Sequence, residues 1–153
     1  MVQALGYGGQ PVKEVIFNPS TTVTILRGQA IELILTGVKT TPNTAEKAPQ
    51  GEQANSVAKS FVGVAMEDIE PETFGEMAIQ GFVQIRPEAD ALSVGAAIGP
   101  DDAGDWTNDA THTMAVLLEA SAAANQDLKS AYLNQAMAKG LDADGIGNAF
   151  GGA

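Results

Sequence analysis

The sequence predicts a mainly β chain: a small antiparallel β-barrel with an extended N-terminal arm and a flexible C-terminal tail. Three observations carry this reading. Short runs of β-branched and aliphatic residues recur between turn residues, as in TVTIL (22–26), AIELILT (30–36) and FVGVAM (61–66). Seventeen glycines and seven prolines punctuate the 153 residues, which suits many turns. Residues 76–86 alternate polar and apolar, the period of a strand with two different faces. The boundaries that follow are an arm over 1–20, a barrel over 21–134 and a tail over 135–153.

In the arm, GYGG and two prolines surround Val15, Ile16 and Phe17, and Pro19 discourages a continuing ladder. The segments 22–26 and 30–36 are separated only by Arg27-Gly28-Gln29, which predicts a hairpin. Residues 39–58 are polar and hold Pro42, Pro49 and Gly51, so they are expected to form a projecting loop. FVGVAM reads as a strand, and the acid-rich turn EDIEPETFG follows it. In the alternating segment, Met77, Ile79, Val83 and Ile85 share one face. Glu76, Ala78, Gln80, Phe82, Gln84 and Arg86 share the other. At about 3.3 Å per residue this strand spans on the order of 35 Å. Gly81 sits in its middle, where a bend is expected, and long strands that bend are how small barrels close.

Farther along, LSVGAAIG predicts a short strand ending at Gly99, PDDAGDWTND (100–109) a polar loop, and TMAVLLEA (113–120) a strand with Met114, Val116 and Leu118 on one face. Residues 127–139 read either as a short helix, with Asp127 as N-cap and Gly140 beyond the C-terminus, or as a final strand over LKSAYLN. No internal repeat is evident.

Composition narrows the function classes. The chain has no cysteine, which removes disulfides, thiolate metal sites and a cysteine nucleophile. No apolar run reaches the roughly 18 residues of a membrane span, and no secretory pattern is expected at the N-terminus. The net charge of −11 is uneven: residues 1–60 balance to +1 and residues 61–153 to −12. Such an acidic second part repels phosphate backbones, so no nucleic acid is expected as a partner.

Catalytic, cofactor and metal sites are all expected to be absent. The single histidine, His112, has no nucleophile motif beside it. Glu67, Asp68, Glu70, Glu72 and Glu76 crowd one turn, where water keeps carboxylates ionised, rather than facing one pocket. DADG (142–145) begins like a calcium loop, but Ile146 and Ala153 stand where oxygen ligands are needed. Trp106, in a polar loop, reads either as a binding hot spot or as a lid on the core.

Residues 61–100 resemble the head decoration, or capsid cement, proteins of tailed bacteriophages. The likeness rests on Gly63-Val64-Ala65, an acidic turn, Gly75-Glu76, the strand through Gly81, and Val94-Gly95 to Gly99. AVLLEA (115–120) and LKSAYLN are similar to the family's later strands. The resemblance implies a virion protein on the outer surface of the capsid, partnered by the major capsid protein and itself a homo-oligomer, with a trimer favoured. The partner interface is expected at Tyr7, Val15, Ile16, Phe17 and Trp106. Other readings are a head fibre or tail-associated barrel, a carbohydrate-binding module stacking sugars on Trp106, and, as an enzymatic fallback, a hydrolase using the acidic turn.

Overall fold

The computed structural model describes residues 11–42, 46–54, 61–109 and 113–133. They form β1 (Val12–Phe17), β2 (Ala30–Thr40), β3 (Lys47–Gln53), β4 (Phe61–Ala65), β5 (Phe74–Ile85), β6 (Ala97–Pro100), β7 (Trp106–Asn108), β8 (Ala115–Leu117) and β9 (Lys129–Leu133). The fold is mainly β, and no helix occurs among the described residues.

The strands make two rings that share β5. In the first, the order β1-β3-β2-β4-β5 closes because β1 also pairs with β5, from Val12↔Gln80 to Phe17↔Phe74. Every ladder of this barrel is antiparallel except the Phe17↔Gln50 contact of β1 with β3. In the second, the order is β5-β9-β8-β6-β7. Its closure comes from Pro87, just past β5, which bridges Trp106 of β7 in parallel. The bridge is fixed by Trp106 N–H donating to Arg86 O (2.9 Å) and Glu88 N–H donating to Trp106 O (2.7 Å).

The two rings repeat one plan, although the sequence shows no repeat. The β2/β3, β2/β4 and β4/β5 pairings recur as β6/β7, β6/β8 and β8/β9, and the β1/β5 pairing recurs as β5/β9. The bridge Ile25↔Ile69 recurs as Leu92↔Ser121. Gly28 N–H donates to Ala65 O as Gly95 N–H donates to Leu117 O. The two non-glycine residues with positive φ among those described, Glu72 (58°) and Ala124 (60°), hold equivalent places after the equivalent bridges. Ala30-Ile31 and Ala97-Ile98 hold equivalent positions and are the same residues. Strand pairing needs only period-2 apolarity and turn geometry, so the plan survives where residue identity does not.

β5 explains how one strand serves both rings. Its Met77 lies in the first core, with Ile16, Ile25, Ile31, Ala65 and Ile69. Val83 and Ile85, on the same side of the strand, lie in the second, with Leu92, Ile98, Trp106, Leu117 and Leu133. Between them Gly81 takes φ 108° and turns the strand from one core to the other. The opposite faces of β2, β4 and β5 offer Ala30, Val64 and Ala78 to the second core, and these small residues let the rings press closely together.

Several expectations are corrected. Residues 12–17, assigned to the arm, form a barrel strand, because Val15 to Phe17 meet the start of β5. Residues 22–26 do not form a hairpin with β2; only Ile25 is bridged, to Ile69. Of the expected projecting loop, the described residues belong mostly to the ribbon of β2 and β3, with Pro49 in a strand opposite Val38. The segment 129–133 is strand rather than helix, since β5 and β8 both pair with it. Of 113–120, Ala115–Leu117 forms the strand; Ala115 and Leu117 are buried on one face, and of the residues expected to share the other, Met114 is buried, Val116 half-buried and Leu118 exposed.

Candidate interaction surfaces

At the junction of the rings, Gln29 follows the Gly28 corner and β7 begins beside Asp105. Both carboxylate oxygens of Asp105 are used: Gln29 Nε2 donates to Oδ1 (2.9 Å) and Gln126 Nε2 to Oδ2 (2.8 Å). Arg86 Nη2 donates to Gln126 Oε1 at 2.9 Å. Arg86 Nε stands 3.3 Å from Asp105 Oδ1, a charge contact without hydrogen-bond geometry. Gln53 Nε2 donates to Gln29 Oε1 at 2.8 Å. Burial pushes the Asp105 carboxyl above the usual carboxylate range, against the opposing pull of the Gln29 hydrogen bond and the Arg86 charge. This node ties the first ring (Gln29, Gln53) to the second (Asp105, Gln126), which is a positioning role.

Trp106 reinforces the junction. It is 0 % exposed, and its Nε1–H donates to Gly28 O at 2.9 Å. Neither a partner contact nor sugar stacking is open to it, which corrects both expectations. Ile16 and Phe17 are likewise buried in the first ring, because the segment is a barrel strand and its last residues turn inward. Val15 is 42 % exposed and remains available. Tyr7, His112 and the DADG stretch lie outside the described residues.

The acidic turn does not converge on a pocket. Glu67 Oε2 accepts from Glu76 N–H (3.0 Å), Asp68 Oδ1 from Arg27 N–H (2.8 Å), and Glu70 Oε2 from the Thr24 hydroxyl (2.9 Å). These exposed carboxylates cap backbone and hydroxyl donors at the corner between β4 and β5. No group of three or more histidines, aspartates and glutamates able to hold a metal occurs among the described residues.

Two apolar surface features stand out among the described residues. One is a groove of about 460 Å³ at the junction, lined by Met66, Val64, Phe82, Val83, Leu118 and Arg27 among others. Phe82 is 52 % exposed and meets Tyr132 edge-on, with ring centroids 5.3 Å apart. The other is the outer part of the β2–β3 ribbon. Its register slips between Ile34↔Gln50 and Val38↔Pro49, which loops out Leu35, Thr36 and Gly37. Leu35 is 80 % exposed and Val38 55 %. Sequence reasoning missed both features, although each left a trace: Phe82 stands among polar residues on its face of β5, and Gly37 interrupts an otherwise β-branched run.

No family model and no curated protein matches the chain. Among solved structures, it is similar to the N base of the head fiber gp8.5 of bacteriophage phi29. The identity is 12 %, the match covers 80 % of this chain and 93 % of that one, and the TM-score is 0.53. The likeness is one of fold. It extends beyond either ring alone, since 80 % of the chain is more than one ring holds.

Proposed function

We propose that this chain is a structural protein of a tailed-phage head, which sits on the outer surface of the capsid and braces neighbouring major capsid protein subunits. The observation that carries the reading is the fold likeness to a phage head fiber base over most of both chains. The resemblance of residues 61–100 to capsid cement proteins points the same way from the sequence. The role is mechanical and needs no active site. Each copy buries surface across subunit boundaries, so separating subunits also breaks those contacts. An interface of this kind buries about 1,200–2,000 Å² in all.

A second reading, the base of a head fibre, is favoured by the solved neighbour itself. The two differ in what binding does to the particle. Purified protein is mixed with undecorated heads, imaged by electron microscopy, and the heads are then heated. Bracing is expected to place density over subunit boundaries and raise the temperature at which the heads rupture. Density with unchanged rupture supports the fibre base. Absence of binding to heads overturns both readings.

A further inference from the structure

We propose that copies of this chain associate heterologously, the Leu35 bulge of one copy seating in the inter-ring groove of the next. The repeated plan supplies the first reason. The hairpin β6–β7 turns within residues 101–105, directly after the Pro100↔Trp106 pair. Its counterpart β2–β3 runs on past Ile34↔Gln50 to Thr40↔Lys47, a length the second ring does without. The extra ribbon is therefore not needed to close a ring of this design. Its bulge leaves Leu35 exposed instead of in a core, and Val38, where pairing resumes, is exposed too.

The groove supplies the complement. Its walls include Met66 and Leu118, which hold equivalent positions: Met66 N–H donates to Glu76 O as Leu118 N–H donates to Ser130 O. Phe82 stands at its side, and Leu118 is 40 % exposed. An open apolar recess thus exists on a chain that also carries an unmatched apolar protrusion.

Charge favours the same pairing. The ribbon carries Lys39 and Lys47 against Glu46, on a chain whose net charge is −11. Each groove wall is followed in sequence by an exposed glutamate, Glu67 after Met66 and Glu119 after Leu118. Hydrogen bonds from Ser130 hold Glu119 below the usual carboxylate range, so it stays charged. Arg27 also lines the groove and its Nη2 donates to Gln84 Oε1 of the same lining at 3.0 Å, so its one positive charge stands there against the two glutamates.

A chain cannot fill its own groove this way. Ala30, at the start of β2, bonds Gly104 at the ring junction, and Leu35 lies five residues along the strand, about 17 Å away. The contact is between copies, and a heterologous contact builds a closed ring or an open chain of subunits. This inference stands whether or not the protein belongs to a phage head.

The test is sedimentation of the full chain over a concentration series, with Leu35→Glu and Leu118→Glu as variants. Wild type is expected to self-associate, and each variant to do so at least tenfold more weakly. Each variant keeps one intact half of the contact, so an equimolar mixture of the two is expected to form a dimer at concentrations where neither associates alone. Circular dichroism and Trp106 emission confirm that the variants are folded. A wild type that stays monomeric to millimolar concentration overturns the proposal. So does a mixture that fails to pair while wild type associates, or a wild-type affinity unmoved by either change. Head binding by a protein that stays monomeric would leave the proposed function standing and remove only this inference.

Discussion

Gly28 and Gly95 occupy equivalent corners with similar φ, 88° and 84°, yet their surroundings differ. A Cβ on Gly28 would meet Arg86 N and Leu128 Cδ2 at 2.6 Å, whereas Gly95 has open space around it. Gly95→Ala should cost only the left-handed strain, about 1–2 kcal/mol. Gly28→Ala adds overlap with backbone at the ring junction and should cost more than about 3 kcal/mol. Urea midpoints of the two variants check the contrast; equal losses would mean that the junction yields. Asp105 offers a pH test at the same scale. Its carboxyl is held above the ordinary range chiefly by burial, so the folded chain binds that proton more tightly than the unfolded one. The favourable contribution of the protonated form is complete below about pH 3.8 and is lost as pH rises through the raised folded value. Asp105→Asn does not titrate. The stability of wild type relative to this variant should therefore fall with rising pH across that window and level off above it. Denaturation at several pH values measures this; a difference that rises with pH instead would mean that Arg86 and Gln29 outweigh burial.

At the scale of elements, the repeated plan makes the outer ribbon dispensable to folding. Replacing residues 35–49 with the turn Asp101–Asp105 keeps Ile34 and Gln50, and with Gln50 the Phe17 bridge that closes the first ring. The chimaera should fold with Trp106 emission unchanged and lose about 1–3 kcal/mol, because the exchange removes the buried Ala48 and the Lys39 contact with the Phe17 ring but no larger core side chain. Collapse of the fold would show that the ribbon supports its ring. The elements also mark what was legible in the sequence. β5 could be read almost to the residue, because its alternation is long and Gly81 marks its bend. β4 could be read because FVGVAM is a short, continuous apolar run bounded by turn residues. β3 and β7 could not, because KAPQGEQ and WTN carry little apolar alternation and are strands only because partners on either side complete their ladders. β9 was ambiguous because helix formers fill a segment that pairing makes a strand. The surface was harder still to read. Ile16, Phe17 and Trp106 drew attention as large apolar residues near turns, yet ring closure buries all three. Leu35 looks like an ordinary strand residue until the bulge is seen.

At the scale of the molecule, sharing β5 couples the rings. The second core takes Ala30, Ala54, Val64 and Ala78 from strands or strand ends of the first ring, and Asp105 is bonded from both sides of the junction. Neither ring closes without β5, and each uses a different half of that strand. Loss of the first core should therefore be felt in the second. Ile69 is fully buried in the first ring, and Trp106, the single tryptophan, reports from the second. Ile69→Ala should cost about 2–5 kcal/mol, as large-to-small core changes do. If the rings unfold together, Trp106 emission and far-ultraviolet circular dichroism should shift to lower urea by the same amount and remain coincident. An early loss of circular dichroism with the Trp106 transition unmoved would mean that the second ring stands alone. The long shared strand would then be a tether between two independent bodies, and bracing by a single rigid unit would lose its physical basis.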